Sequence, residues 1–277
     1  MLQMICDREQ PLKEFTENNC AQASFFWNYL LSHKEIKVNG KKVDKNVRLF
    51  EGDVVEYYLT KKQEERSAYH LVYEDENLLV VDKESGVNSE AVYAELARSK
   101  KTYFIHRLDR NTCGLLVFAK TAECENALLN AFKSREVQKT YHALLVGKLP
   151  QSHAFLTAYL QKDEKAALAR VYAQPKQGAA CIQTEYQTLC YDPERDLTKA
   201  KILLHTGKTH QIRAHFAFLG NPVLGDMKYG NVEINKRFHL TRQCLVAKTL
   251  TLCLSGKYGY LSEKTFSSRF EAELPKF

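Results

Sequence analysis

Apolar residues follow two rhythms along this chain, and each predicts an element. Leu115, Leu116, Val117, Phe118 and Ala119 form an unbroken apolar run, the pattern of a strand covered on both faces. Leu78, Leu79, Val80 and Val81 repeat it, with a partner strand at 71–73 across an acidic turn. Further strands are expected at 141–146 and through 182–205, which includes Ile202, Leu203 and Leu204. Helical spacing appears where Cys124, Ala127, Leu128, Ala131 and Phe132 mark one face of a helix over 122–134, with Thr121 as its cap. A second helix is expected near 22–33. A third is expected over 210–219, capped by Thr209, turning Ile212, Phe216 and Leu219 to the core and ended by Gly220, Asn221 and Pro222. Asn39 and Gly40 mark a hairpin over 36–43, and a strand over 53–58 follows Gly52. Strands outnumber helices and do not alternate with them regularly. The predicted class is α+β with a mixed, largely antiparallel sheet.

The polar run 61–67 interrupts this patterning and predicts a linker over 61–69, between a small helix-plus-strands module at 1–60 and a larger domain at 70–277. A length of 277 residues fits two domains. The net charge of +7 favours an anionic partner without naming it. It is unevenly placed: residues 1–60 carry 8 basic against 9 acidic groups, leaving +8 for the remainder. Within the first module, however, Lys34, Lys37, Lys41, Lys42, Lys45 and Arg48 concentrate around the hairpin. Eight cysteines without a Cys-x-x-Cys pair suggest reduced thiols in a cytoplasmic protein. The first residues lack the apolar core of a signal peptide, and no apolar run approaches the ~20 residues of a membrane span.

Two segments hold the candidate chemistry. In 106–120, Asp109 stands between Arg107 and Arg110, just ahead of the turn 111–114 and the buried run. Extended alternation puts Arg107 and Asp109 on one face and Leu108 and Arg110 on the other. An aspartate there is ionised at neutral pH and suits nucleophilic or electrostatic work; its bland alternative is a turn cap paired with an arginine. The second segment, 205–230, places Arg213 in the first turns of the expected helix, facing a phosphate or the Asp109 carboxylate. His205, His210 and His215 recur every five residues, which does not keep them on one helical face. No metal site is expected.

Together these segments resemble the RluA family, the pseudouridine synthases of the large-subunit ribosomal type. The family signature His-Arg-Leu-Asp-x-x-Thr-Ser-Gly is matched by His106-Arg107-Leu108-Asp109-Arg110-Asn111-Thr112-Cys113-Gly114, and Gly-Arg-Thr-His-Gln-Ile-Arg by Gly207-Lys208-Thr209-His210-Gln211-Ile212-Arg213. Gly225-Asp226 and Tyr229-Gly230 follow the second motif as the family's do. The resemblance covers about residues 70–250. Residues 1–60 look like a divergent RNA-binding domain of the ribosomal-protein-S-four (αL) type, marked by Val38-Asn39-Gly40-Lys41 and Gly52-Asp53-Val54-Val55.

The resemblance implies catalysis by Asp109 as nucleophile, Arg213 as its bidentate salt-bridge partner and Tyr141 against the target base. Candidate substrate contacts are Arg107, which would help displace the flipped nucleotide, with His106, Thr112, Lys208, His210 and Gln211. It implies RNA, ribosomal or transfer, as partner, no cofactor, and a monomer. The sequence departs from the family at Cys113, at Lys208, at Lys83-Glu84-Ser85-Gly86, and at Leu245-Val246-Ala247, which lacks the common histidine. Two rivals stand beside the enzyme. One is a non-catalytic RNA-binding or ribosome-associated factor; the other, a carboxylate-dependent hydrolase, wants a second acid that the sequence does not offer.

Overall fold

A computed structural model of the chain describes residues 1–164 and 166–273. Its main body is a long sheet whose strands lie side by side in the order Leu168–Tyr172, His153–Asp163, Ala180–Asp192, Leu197–Leu204, Val137–Val146, Leu245–Leu252, Cys113–Ala119, Leu78–Lys83 and Tyr69–Glu74. Neighbours on this path pair antiparallel except one: Cys113–Ala119 runs parallel to Leu245–Leu252. The α+β, largely antiparallel expectation holds.

Helices cover both faces of the sheet, which explains the unbroken apolar runs. Helix Ala122–Ser134 packs Cys124, Leu128 and Ala131 against Leu78, Val80, Leu115 and Val117. Helix Ser89–Ala97 packs Ala91, Val92 and Leu96 against the alternate residues Leu79, Val81, Leu116 and Phe118. Each strand residue points to one face or the other, so a strand sandwiched between helices needs apolar side chains at every position. A third core joins Ile212 and Phe216 of helix Gln211–Phe218 to Ala143, Leu145, Ala200 and Ile202.

The parallel pair decides where the site sits, because it brings the 106–114 loop over the middle of the sheet. Gly114, opposite Ala247, has φ of +114°, and a Cβ there would lie 2.3 Å from the Ala247 carbonyl oxygen. Only glycine permits that approach.

The first module has its own core, Leu12, Phe15, Trp27, Leu30, Ile36, Leu49, Val55 and Tyr57. Three short helices pack on a sheet ordered Leu2–Ile5, Val54–Tyr57, Ile36–Val38 and Lys41–Val43. The expected hairpin forms, with Asn39 and Gly40 at φ +50° and +75°. The helix expected over 22–33 is instead two pieces, Ala21–Phe25 and Trp27–Ser32, broken at Phe26 so that Ala23, Trp27 and Leu30 all reach the core.

The expected linker is also ordered at its start. Lys61–Glu64 is a helical turn, in which the Thr60 hydroxyl accepts from Gln63 N and the Gln63 amide accepts from Thr60 N. A reciprocal box of this kind satisfies donors that a polar run otherwise leaves to water. The seam beside it is bonded: Asn88 donates to Asn18 at 3.0 Å, Gln22 to Glu95 at 3.0 Å, and Arg98 to the Asn19 carbonyl at 3.0 Å.

Candidate active site

The loop that carries Asp109 is fixed before its chemistry begins. Leu108 is buried, and its backbone exchanges hydrogen bonds with the Ser89 hydroxyl, 2.9 Å from Leu108 N and 3.1 Å from its carbonyl. Thr112 N donates to the Asp109 carbonyl at 3.0 Å, closing the turn. Behind it the ammonium of fully buried Lys83 donates to the carbonyls of Glu84, Val87 and Arg110 at 2.9, 2.9 and 3.2 Å. Burial pushes Lys83 down to about 7, while three carbonyl acceptors compensate its lost hydration. Arg107 and Asp109 line the same cleft and Arg110 turns to the first module, as alternation predicts, but Leu108, expected on the face of Arg110, borders the cleft too, because 105–109 is not a strand.

Arg213 lies on the buried face of its helix and divides its fork between two acids. Its Nε and Nη2 donate to the two oxygens of Asp226 at 2.7 and 2.9 Å, and its Nη1 donates to Asp109 at 2.8 Å. The bidentate partner is therefore Asp226, not Asp109 as expected, because Asp226 is wholly buried and faces the guanidinium edge. Burial raises the Asp226 carboxyl, but the hydrogen bonds and charge of Arg213, with the N–H groups of Lys228 and Tyr229, outweigh it and hold it below the usual range. Two bonds fix the plane of the guanidinium, so its third edge is aimed at Asp109.

His210 stands 3.9 Å from the second oxygen of Asp109, with its Nδ1 2.8 Å from the Tyr229 hydroxyl. It opens the helix in the left-handed region, φ +57°, and Thr209 is not the cap. Gln211 instead ties the preceding loop to the sheet: its Oε1 accepts from Lys208 N at 3.1 Å and from the Thr206 hydroxyl at 2.9 Å, and its Nε2 donates to the Gln183 carbonyl and Thr184. Leu219 falls beyond the last turn and is exposed rather than in the core.

Tyr141 closes the cleft from the sheet. A bulge between Thr140 and Tyr141 shifts the register against Leu245–Leu252, and bulges re-aim side chains. Burial, and then the charge of Asp109, raise its phenol well above the ordinary value, so it stays neutral. Together with Asp109, Lys139, Leu245 and the loop 207–210, it lines a cavity of about 490 Å³.

The other expected contacts divide in two. Lys208 and Arg107 are exposed at the rim of the cleft, Arg107 paired with Glu90 at 2.8 Å. His106, Thr112 and Gln211 line the cleft but turn their polar atoms into the protein. His106 Nε2 accepts from Val117 N at 3.2 Å and its ring stacks on Phe132; burial, and then the Lys139 charge, push it down to about 3, leaving it neutral. Thr112 accepts from Gln243 at 2.6 Å. Cys113, the departure beside Asp109, is pushed up to about 11 by burial, so it remains a thiol.

The three spaced histidines go to different partners: His205 to Glu185, His210 to Tyr229 and His215 to Thr184. Sequence reasoning did not single out Asp226 as the clamp, nor Lys139 at the cleft wall. The first stands in the sequence only as half of the pair Gly225-Asp226, and nothing in its spacing marks it as buried.

Set beside known proteins, residues 77–218 match the family described as RNA pseudouridylate synthase. The chain is 30% identical over 248 residues to the ribosomal large subunit pseudouridine synthase C of Vibrio vulnificus, covering 80% of this chain and 77% of that one. It is 27% identical to the mitochondrial tRNA pseudouridine(32) synthase of Saccharomyces cerevisiae, covering 76% of this chain but spanning only 48% of the yeast protein. Among solved structures, human RNA pseudouridylate synthase domain containing 1 superposes with a TM-score of 0.60 at 27% identity, over 68% of this chain and 79% of that one. The chain belongs to the RNA pseudouridylate synthase family, in its RluA-type branch.

Proposed function

We propose that this chain converts specific uridines of ribosomal or transfer RNA to pseudouridine, with Asp109 as the nucleophile. The observation that carries this reading is the divided fork of Arg213, which leaves one carboxylate locked in the protein and presents the other to an open cleft. The reaction breaks the N1–C1′ bond, turns the base, joins C5 to C1′ and releases the C5 proton. It needs no electron or energy carrier. A positioned carboxylate can serve by attack on uracil C6 or on ribose C1′. Tyr141, a neutral aromatic across the cleft from Asp109, suits stacking on the base.

A uridine stacked in folded RNA must be extruded first, at a few kcal/mol, which basic groups around the cleft offset through phosphate contacts. In this reading Arg107, two-thirds exposed and paired with Glu90, enters the vacated stack. The first module supports RNA docking through Lys41, Lys42 and Lys45 at the hairpin, in keeping with an αL-type RNA-binding role. The proposed setting is the cytoplasm, and all three proposed catalytic residues come from one chain, so a monomer suffices.

Cellular RNA carrying tritium at uridine C5 tests the proposal. The protein is expected to release tritium, and Asp109→Asn to abolish release while still binding RNA. Equal release by the variant would overturn Asp109 as nucleophile. No release by the wild type, with RNA bound, would favour a non-catalytic RNA-binding factor.

A further inference from the structure

We propose that the groove beside the Asp109 cleft is a second nucleotide subsite, which holds an unpaired nucleotide flanking the target uridine by its phosphodiester and its base. The inference rests on RNA as substrate and adds where the neighbouring strand runs. A cavity of about 570 Å³ opens between the end of helix Ala122–Ser134 and the 205–208 loop, and shares Phe132, Lys133, Lys139, Leu204, Gly207 and Lys208 with the Asp109 cleft. The two cavities are thus one continuous trough.

Its charge is one-sided and largely unspent. Among the described residues, no carboxylate pairs with Lys133, Arg135, Lys139 or Lys208, although many basic side chains elsewhere have an acidic partner. Arg135 makes only a long bond to the Gln183 amide, 3.5 Å. Glu136 is the one acid in the lining.

Lys139 is the sharpest case. Its side chain is half-buried where the two cavities meet, its Nζ 5.5 Å from the Phe132 ring centre and above Gly207, and it has no hydrogen-bond or ion-pair partner among the described residues. An ammonium withdrawn from water without a partner is unfavourable, and a phosphate oxygen in the trough relieves it.

Just outside the lining, against His205, lies a surface for a base. Phe155 is 52% exposed, and its ring centre lies 5.0 Å from that of His205. One acid stands at this end: Glu185 hydrogen-bonds His153 and His205, both at 2.8 Å, and so fixes the His205 ring beside Phe155. A basic trough ending in exposed rings is the arrangement that holds single-stranded nucleic acid with little sequence preference.

The test uses the double variant Arg135→Gln, Phe155→Ala, both at exposed positions outside the Asp109 cleft, with Arg195→Gln, in the turn that joins strands Ala180–Asp192 and Leu197–Leu204 at the end away from the trough, as a charge control. Binding of a fluorescein-labelled twelve-residue oligouridylate is measured across a salt series, and kcat and KM are measured by tritium release. The double variant is expected to weaken binding and raise KM by roughly tenfold, with its salt slope reduced by ~0.7 and kcat kept. Arg195→Gln should change neither affinity nor KM by more than about twofold. Unchanged affinity and KM in the double variant, a loss confined to kcat, or an equal effect in Arg195→Gln would overturn the subsite. If the wild type released no tritium, the isomerase reading would fall while the oligouridylate series still decided the groove.

Discussion

Arg213 has one guanidinium and two carboxylates to serve, and the division between them sets the character of the site. Asp226 takes two of its N–H groups and is sealed from water; Asp109 takes one and faces the cleft. The sequence motifs pointed to Asp109 and Arg213 because both lie in dense, ordered signatures. They left Asp226 as one residue in a Gly-Asp pair, since spacing does not reveal which of two acids is deeper. His106 offers a test at the same scale. Burial lowers it to about 3 and lowers His215 to about 4, against ~6.5 in an unfolded chain. The unfolded state then binds more protons below pH ~6.5, so each neutral histidine contributes stability that is complete above that pH and declines as pH falls toward the folded value, by up to ~1.4 kcal/mol per unit and per group. Urea titrations between about pH 7 and pH 4 should show this decline, flattened in His106→Gln. An identical slope in the variant would show that His106 is not held neutral.

Elements were legible where pattern and environment agree. The runs at 78–81 and 115–119 became strands because helices cover both their faces, and Thr121 caps its helix by accepting from Cys124 N at 3.2 Å. Boundaries failed where tertiary demands overrode local preference: Phe26 breaks a helix to serve the first module's core, and His210 gives up regular geometry to reach Tyr229 and Asp109. Gly114 is the element-scale test, since its parallel contact with Ala247 leaves no room for a side chain. Gly114→Ala is expected to lose about 3–5 kcal/mol in urea unfolding through crowding and backbone strain together. Gly220→Ala, also at positive φ but facing open space, should lose only ~1 kcal/mol. Equal losses would mean that the strand contact is not what requires the glycine.

Across the whole molecule, the polar run 61–67 reads as a linker between two units, and the residues on its two sides are directly bonded. Arg110, next to Asp109, pairs with Glu17 and donates to the carbonyls of Ser24 and Gly86, each at 3.1 Å, so the small module grips the loop that carries the acid. No local pattern announces a contact between residues so far apart in sequence. Arg110→Ala should speed amide hydrogen exchange both in Leu12–Asn19 and in the 109–112 turn; a change confined to one of them would show that the latch does not couple the two.

The separations in this site also put its assembly on a clock. Asp109 meets Arg213 across 104 residues, and Cys113 approaches Leu245 across 132. At ~5–20 residues per second, a ribosome that has made the acid needs roughly 5–20 s more to make its arginine. Through that interval the chain has the basic hairpin and the Asp109 loop but not the clamp that aims the carboxylate. A nascent chain can therefore meet RNA before the Asp109–Arg213 pair exists, and that pair arrives with the late-made half of the sheet.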